Sequence, residues 1–235
     1  IETCSIHLNY LLISNQYPLV VMLDNRVVGE LELYIGEEKG PLGKTAFIDV
    51  LEVHRGYRRR GVGRALVSKA FEIAEENRCD TISVWPDKRA IGFYKKCGID
   101  NIVFNIVDME IDLRKVKGKE EDTYKVKDFP NDYTIIKDME LITPRIESSF
   151  TLWLKNMWEY AIEKTRIVST EGYIPELQVA YVIESLWSNR GKARLILWAG
   201  DREEIPEIMS IIFEIAKRLG FTSLRLLIDQ CVYHE

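Results

Sequence analysis

The class of fold is indicated most clearly by fourteen consecutive residues, Val53-His54-Arg55-Gly56-Tyr57-Arg58-Arg59-Arg60-Gly61-Val62-Gly63-Arg64-Ala65-Leu66. The apolar residues before it, 45–53, predict a strand, and apolar residues at helical spacing from Val62 onward predict a helix. A strand that ends in a glycine-rich turn and opens a helix directs several backbone N–H groups at one spot outside the sheet. The stretch therefore predicts a phosphate site.

Two glycines and a group of arginines give this turn its chemistry. Gly61 and Gly63 have no Cβ, so the backbone approaches an anion closely. Positive charge around the rim comes from Arg58, Arg59, Arg60 and Arg64. A pyrophosphate satisfies all of these features. The turn is not a P-loop, because no Lys-Ser/Thr pair follows the second glycine, and not the dinucleotide fingerprint, which needs a third glycine.

The elements around the turn follow from the apolar pattern. In strand 45–53, Asp49, Leu51 and Val53 are expected on one face, and Ile48, Val50 and Glu52 on the other. The first half is predicted to contain a hairpin at 17–35, this strand, a helix from 62 to about 77, a strand at 81–85, a short helix at 88–96 and an edge strand or strand pair at 101–113.

The second half has a similar order of elements. Residues 116–132 are charged and contain Gly and Pro, which predicts a linker. The pattern then predicts strands at 134–141, 178–188, 193–199 and 223–228, and helices at 150–162 and 205–219. Phe71-Glu72-Ile73-Ala74 matches Phe213-Glu214-Ile215-Ala216, which favours a duplication, although any two amphipathic helices align this well. The second turn, 200–206, carries three acids and would repel phosphate.

Two motifs resemble the GNAT superfamily of acyl-CoA-dependent N-acyltransferases. Its signature, Arg or Gln, two residues, Gly, any residue, then Gly or Ala, is met from Arg58 to Gly63. Its later motif is matched by Asp87, Ala90, Phe93, Tyr94, Gly98 and Ile99, with Asp87 in place of the usual Asn. The likeness covers about residues 17–113, and it implies a mixed α/β fold with a mostly antiparallel sheet flanked by helices. The second half resembles a degenerate GNAT-like repeat.

The resemblance implies the cofactor site and the domain division. Acetyl-CoA would lie where strand 45–53 splays from strand 81–85, with its pantetheine arm on backbone groups of Leu51 and Val53. Its pyrophosphate would bind the amides of Arg59, Arg60, Gly61, Val62, Gly63 and Arg64. Residues 1–115 would form the acetyltransferase domain and 133–235 a degenerate repeat that forms one wall of the acceptor cleft.

Two residues are candidate catalytic groups. Tyr94 stands where the family keeps the acid that protonates the departing thiolate, and its alternative role is core packing. Asp49 is the candidate base, since an acid in an apolar strand is costly unless paired or functional. A partner for a nearby Arg or Lys is the equal alternative for Asp49. Glu52 and His54 are fallback bases.

Composition limits the remaining function classes. The 235 residues contain 32 Lys and Arg against 37 Asp and Glu, a net charge of −5, so no global attraction to nucleic acid or anionic membrane is expected. No apolar run reaches the length of a membrane span. The four cysteines and three histidines are scattered, which predicts reduced thiols, a cytoplasmic setting and no metal site.

The leading hypothesis is an acetyl-CoA-dependent N-acetyltransferase acting on a primary amine of a small molecule or peptide. A first alternative is a non-catalytic acyl-CoA-binding sensor or scaffold. A second is a nucleic-acid module that uses the five arginines between Arg55 and Arg64, although the aromatic interleaving of single-strand binders is absent. A homodimer built on sheet edges stays open.

Overall fold

The apolar runs of the first half form one sheet, which has four strands among the described residues. In this computed structural model, residues 16–118, 124–162, 168–186 and 188–233 are described. The strands are β1 (Gln16–Leu23), β2 (Arg26–Glu37), β3 (Lys44–Val53) and β4 (Thr81–Val84), in the order β1-β2-β3-β4. The first two neighbouring pairs are antiparallel, whereas β3 and β4 are parallel. Asp24 and Asn25 have φ angles of 49° and 58°, as a two-residue hairpin turn requires, so the predicted hairpin is confirmed.

One amphipathic helix buries the apolar face of this sheet. Helix α1 (Val62–Glu76) begins and ends within one residue of the predicted bounds. Its Leu66, Ala70 and Ile73 pack in one cluster with Leu31 and Ile48 of the sheet. The shorter helix α2 (Ile91–Lys96) adds Tyr94 to the same cluster. Predicted helix 88–96 therefore starts three residues too early, because residues 88–90 form a turn.

In the described part of the chain, the second sheet has six strands. They are β5 (Ile106–Asp112), β6 (Glu140–Thr143), β7 (Ser169–Ile174), β8 (Val179–Leu186), β9 (Asn189–Ala199) and β10 (Ser223–Asp229). Their order is β5-β10-β9-β8-β7, with β6 paired to β9. The helices are α3 (Ser149–Ile162), α4 (Ile205–Arg218) and α5 (Gln230–Tyr233). Helix α4 packs Ile208, Ile211 and Ile212 into the core of this sheet.

The chain divides into two units. The first contains residues 1–103 and 147–154, and the second contains 104–146 and 155–235. Each is a mixed α/β unit whose sheet is mostly antiparallel. The predicted domain ranges, 1–115 and 133–235, stay a proposal. In the structure, β5 is paired with β10 rather than with the first sheet.

Two other expectations for the second half differ from the structure. A strand was expected at 134–141, and this was wrong, because Tyr133–Ile135 form a short 3-10 helix and the strand is β6. Strand β7 was missed, because its sequence, Ser-Thr-Glu-Gly-Tyr-Ile, contains few apolar residues. Residues 119–123 of the predicted linker and Trp187 of the predicted strand 178–188 lie outside the described residues.

No helix in the described part of the chain has both the length and the apolar character needed to cross a bilayer. Within those same residues, no three His, Cys, Asp or Glu side chains are grouped so as to hold a metal ion.

Candidate functional site

Strands β3 and β4 separate part-way along their length. They pair in parallel from Thr45 with Thr81 to Ile48 with Val84. Strand β4 ends there, whereas β3 continues to Val53, paired with β2 on its other side. Among the described residues, no strand pairs with the β4-facing edge of β3 beyond Ile48. This splay leaves a stretch of backbone available to an extended ligand.

The backbone groups of Leu51 and Val53 point into the splay. The His54 N–H donates to the Val28 carbonyl at 2.9 Å, so His54 faces β2. Backbone direction alternates along an antiparallel ladder, and Leu51 and Val53 form the pairs that do not exchange hydrogen bonds with β2. The Val53 carbonyl accepts from Arg58 Nε at 3.0 Å, which agrees with this direction. Leu51 thus presents an N–H and a C=O where an extended chain can pair.

A β-bulge interrupts β3 at Asp49. Val50 is opposite Glu32 and Ile48 is opposite Leu33, so Asp49 is the extra residue. The bulge reverses the alternation of faces, and Ile48 belongs to the same apolar cluster as Leu51 and Val53. The expectation that Ile48 faces the opposite side from Leu51 was therefore wrong. Asp49 is half-buried beside the splay, and its role as a base stays a prediction.

The turn after β3 places free amides at the start of α1. Gly61 has a φ angle of 86° and is the N-cap of the helix, where it supplies no side-chain cap. A Cβ at this position would meet nothing within 4 Å. The first intrahelical bond runs from the Ala65 N–H to the Gly61 carbonyl at 2.9 Å. The N–H groups of Val62, Gly63 and Arg64 thus have no acceptor within the helix, and they favour an anion.

Gly63 lies where helix α1 meets helix α2. A Cβ on Gly63 would be 3.2 Å from Cζ of Phe93 and 3.6 Å from Cγ2 of Val53. Only glycine lets the start of α1 approach both neighbours without displacing the ring. The glycine of the turn therefore lies next to the aromatic residue of the later motif, with no room for a side chain between them.

Arginines surround the start of α1. Arg55, Arg58, Arg59, Arg60 and Arg64 are all exposed. Arg58 is held by the Val53 carbonyl, and the Arg60 guanidinium lies 5.5 Å from the centroid of the Tyr57 ring. None of the five forms an ion pair with another described residue. Their charge is therefore available to an anion at the turn.

Tyr94 is buried on helix α2, and its ring meets that of Phe93 edge to face at 5.1 Å. Burial, with a smaller contribution from the neighbouring Cys97, raises the pKa of Tyr94 to about 12. The phenol therefore keeps its proton at neutral pH and can donate a hydrogen bond. The ring also belongs to the apolar cluster of the first unit, so Tyr94 packs in the core whether or not its phenol donates a hydrogen bond to a ligand.

Cys97 was not singled out from the sequence, although it lies one helical turn after Tyr94. Burial raises the pKa of the Cys97 thiol, while Arg64, which hydrogen-bonds to it, acts in the opposite direction. Cys97 therefore links the arginine rim of the turn to the environment of Tyr94. The sequence signal that could have identified Cys97 is its position three residues after Tyr94.

The two fallback bases have other surroundings. His54 Nδ1 accepts from the Gly56 N–H at 3.2 Å and caps the short 3-10 helix Arg55–Tyr57. This bond occupies one ring nitrogen of His54 in the turn itself. Glu52 is exposed and lies directly opposite Glu30 on β2.

Residues 2–99 match the family model described as "Acetyltransferase (GNAT) family". This part of the chain belongs to the GNAT acetyltransferase family. The matched GNAT residues include β1 to β4, the arginine-glycine turn and both α1 and α2.

Solved structures similar to this GNAT region were also found. An aminoglycoside acetyltransferase from an uncultured soil metagenomic sample is 31% identical, with a TM-score of 0.36, over 40% of this chain and 64% of that chain. A transcriptional regulator from Bacillus halodurans is 26% identical, with a TM-score of 0.39, over 41% of this chain and 67% of that chain. An aminoglycoside N-acetyltransferase in complex with CoA is 13% identical, with a TM-score of 0.37, over 43% of this chain and 78% of that chain. The similarity thus spans less than two thirds of the length of the first of these proteins.

Proposed function

We propose that the first unit transfers an acetyl group from acetyl-CoA to a primary amine of a small molecule or peptide. The observation that carries this proposal is the combination of two neighbouring features, one on β3 and one in the turn that follows it. One is the splayed edge of β3 at Leu51 and Val53, and the other is the arginine-rich turn that opens α1. Together they fit the two parts of CoA, an extended amide-containing arm and a pyrophosphate.

The residues that would hold the co-substrate follow from this fit. Backbone groups of Leu51 and Val53 would pair with the pantetheine amides. The amides of Val62, Gly63 and Arg64 would accept the pyrophosphate, with the side chains of Arg58, Arg59, Arg60 and Arg64 around it. Among the described residues, and apart from the chain next to Gly61, no atom lies within 4 Å of a Cβ built there, and this open space supports the placement of an anion.

In the proposed reaction, the unprotonated amine attacks the thioester carbonyl. A carbon–nitrogen bond forms, the carbon–sulfur bond breaks, and the electron pair leaves with sulfur. The amine loses one proton and the thiolate gains one, so the reaction is balanced without a further reactant. Asp49 is the candidate to accept the proton of the amine, because it lies at the bulge beside the splay.

Tyr94 is proposed to donate a hydrogen bond to the departing sulfur. Its pKa of about 12 lies above the value of about 8.5 that is usual for a thiol. Full transfer of the phenol proton to the thiolate is therefore uphill, and Tyr94 acts by stabilising developing charge. The proton that remains on the thiol comes ultimately from the amine.

The second candidate is an acyl-CoA sensor without catalysis. It is favoured by the position of Tyr94 in the apolar cluster, since a packing role alone accounts for that residue. Replacement of Tyr94 by Phe separates the two candidates.

A degenerate repeat in residues 133–235 is also part of the proposal. It is supported by the strand order β7-β8-β9-β10, which has the same pattern of antiparallel and parallel pairs as β1-β2-β3-β4. The free thiols of Cys79, Cys97 and Cys231 are consistent with the proposed cytoplasmic setting.

Calorimetric titration with acetyl-CoA tests the cofactor site. Gly61→Asp adds a carboxylate at the start of α1, where it would repel pyrophosphate, so we expect affinity to fall by about a hundredfold or more. Gly220→Asp is the matched control. Gly220 has a φ angle of 85° against 86° for Gly61, and it too has nothing within 4 Å of a Cβ, so both variants carry the same backbone cost. Equal loss in both variants, or no binding to the unmodified protein, would refute the site.

A further inference from the structure

The second unit contains a splay that corresponds to the one in the first. Strand β9 pairs in parallel with β10 only from Lys192 to Arg194, and β9 then continues to Ala199. We propose that the chain's own segment 140–145 takes the place of an acyl-CoA in this second splay, so that the second unit binds none. The inference concerns residues outside the proposed catalytic site.

Strand β6 lies along the part of β9 that β10 leaves. Glu140, Leu141 and Thr143 pair antiparallel with Ala199, Trp198 and Leu197, respectively. A pantetheine arm that starts at the helix-opening turn would run in this same direction along β3 of the first unit. The backbone of β6 therefore satisfies the edge of β9 that an extended ligand would otherwise use.

The same segment also bonds to β10, so it bridges both sides of the splay. The Leu227 N–H donates to Thr143 Oγ1 at 3.0 Å, and the Arg145 N–H donates to the Leu227 carbonyl at 2.7 Å. Leu141, Thr143 and Arg145 are all buried. The segment thus fills the gap between the two strands with paired backbone and leaves no edge for a second extended chain.

The carboxylate of Glu140 reaches the turn before α4. Both of its oxygens accept from Arg202, at 2.7 Å from Nε and 2.6 Å from Nη2. Arg202 lies between β9 and α4, where the first unit has its arginine-glycine turn. A carboxylate of the chain therefore binds an arginine in the position where, in the first unit, we place the pyrophosphate.

The start of α4 offers little to an additional anion. Pro206 has no N–H in the first turn of the helix, and Glu207 adds a negative charge there. Glu203 and Glu204 precede the helix. These features agree with a turn whose anion is supplied from within the chain.

The first test is the stoichiometry of acetyl-CoA binding, followed by hydrogen exchange of the full chain with and without the ligand. We expect one equivalent per chain, bound about a hundredfold or more weakly in Gly61→Asp. Acetyl-CoA should slow exchange in residues 49–53, while residues 195–199 should be protected without ligand and unchanged by it. A second equivalent, or ligand-induced protection of residues 195–199 in the unmodified protein or in Gly61→Asp, would overturn the inference.

The second test needs no ligand, so its result is independent of the proposed function. Arg202→Ala removes the partner of Glu140, and we expect the amides of residues 140–143 to exchange about two- to fivefold faster. Arg225→Ala is the matched control, because Arg225 makes a similar two-point pair with Asp108 on the far side of β10. Thr143→Val should likewise speed exchange of the Leu227 amide. Unchanged exchange of residues 140–143 in Arg202→Ala and of the Leu227 amide in Thr143→Val would overturn the inference.

Discussion

Individual residues of the first unit have separable roles in the proposed binding and chemistry. Gly61 provides a left-handed backbone and open space, whereas Gly63 leaves the Phe93 ring undisplaced where a Cβ would crowd it. Tyr94 combines a packed ring with a phenol that stays protonated at neutral pH. Substitutions at these positions therefore affect different measurable quantities.

Tyr94→Phe is expected to lower kcat by about ten- to a hundredfold and to leave acetyl-CoA affinity unchanged. The ring keeps its packing, and only the hydrogen bond to the departing sulfur is lost. Steady-state kinetics and calorimetry on the same preparations measure the two effects. An unchanged kcat would favour a packing role for Tyr94, and a loss of affinity would show that the phenol binds the co-substrate.

The pH dependence of turnover gives a second test of Tyr94. Burial raises the pKa from 10 to about 12, so the neutral phenol is retained as the pH rises, and its loss begins only near that value. The profile of kcat should therefore show no loss attributable to Tyr94 below about pH 11. A basic limb near pH 10 that disappears in Tyr94→Phe would contradict the assignment.

Gly36 is predicted to be sensitive to the addition of one methyl group. A Cβ at Gly36 would overlap the ring of Phe150, both belonging to the first unit. Gly36→Ala should lower the free energy of unfolding by about 1–3 kcal/mol, since the ring or the strand must move. Gly92→Ala is the control: Gly92 is in helix α2 with nothing near a Cβ, and the change should stabilise by about 0.5–1 kcal/mol. Urea unfolding measures both, and equal effects would be inconsistent with the overlap.

Among the elements, β3 was predicted with nearly correct bounds, whereas its bulge was not predicted. The hairpin, β3 and α1 were predicted within one or two residues, because apolar periodicity and glycine or Asn-containing turns encode them locally. The bulge at Asp49 was not visible in that pattern, so Ile48 was assigned to the wrong face relative to Leu51 and Val53. Motif spacing predicted the turn and Tyr94, whereas the bond from Arg58 to the Val53 carbonyl and the link between Arg64 and Cys97 depend on three-dimensional placement.

Strands β2 and β3 contain an opposed pair of like charges. Glu30 and Glu52 are directly opposite one another and are both exposed. Glu30→Gln should therefore raise the free energy of unfolding by about 0.2–0.5 kcal/mol at low salt, with the gain shrinking in 1 M NaCl. Glu75→Gln removes the same charge from an exposed position on α1 and controls for the change in net charge. Equal gains from both variants would assign the effect to net charge.

For the whole molecule, local and total charge have opposite signs. The chain carries a net charge of −5, yet five exposed arginines lie between Arg55 and Arg64. A polyanion is therefore attracted by a local field against a weak overall repulsion. Composition gives only the sign of the net charge, whereas the position of the turn indicates where on the surface an anion is favoured.

Affinity for acetyl-CoA should fall by about tenfold or more between 50 and 500 mM NaCl, because exposed charges are screened at these distances. Arg60→Gln should reduce this salt dependence, whereas Arg78→Gln, an exposed arginine just beyond the other end of α1, should not. Titrations at four salt concentrations measure the slope. A slope that is unaffected by Arg60→Gln would exclude that side chain from the binding field.

The pairing of β5 with β10 was the largest departure from the sequence analysis, because no local pattern encodes a ladder between residues so far apart. Arg225 and Asp108, which pair across this ladder, are separated by 117 residues. During synthesis, a ribosome adding about 5–20 residues per second takes roughly 6–23 s to make that interval. During that time β5 has no partner strand, although its Met109 and Ile111 pack against the core in the folded chain. The newly made chain is therefore expected to depend on chaperones that hold β5 until β10 leaves the ribosome.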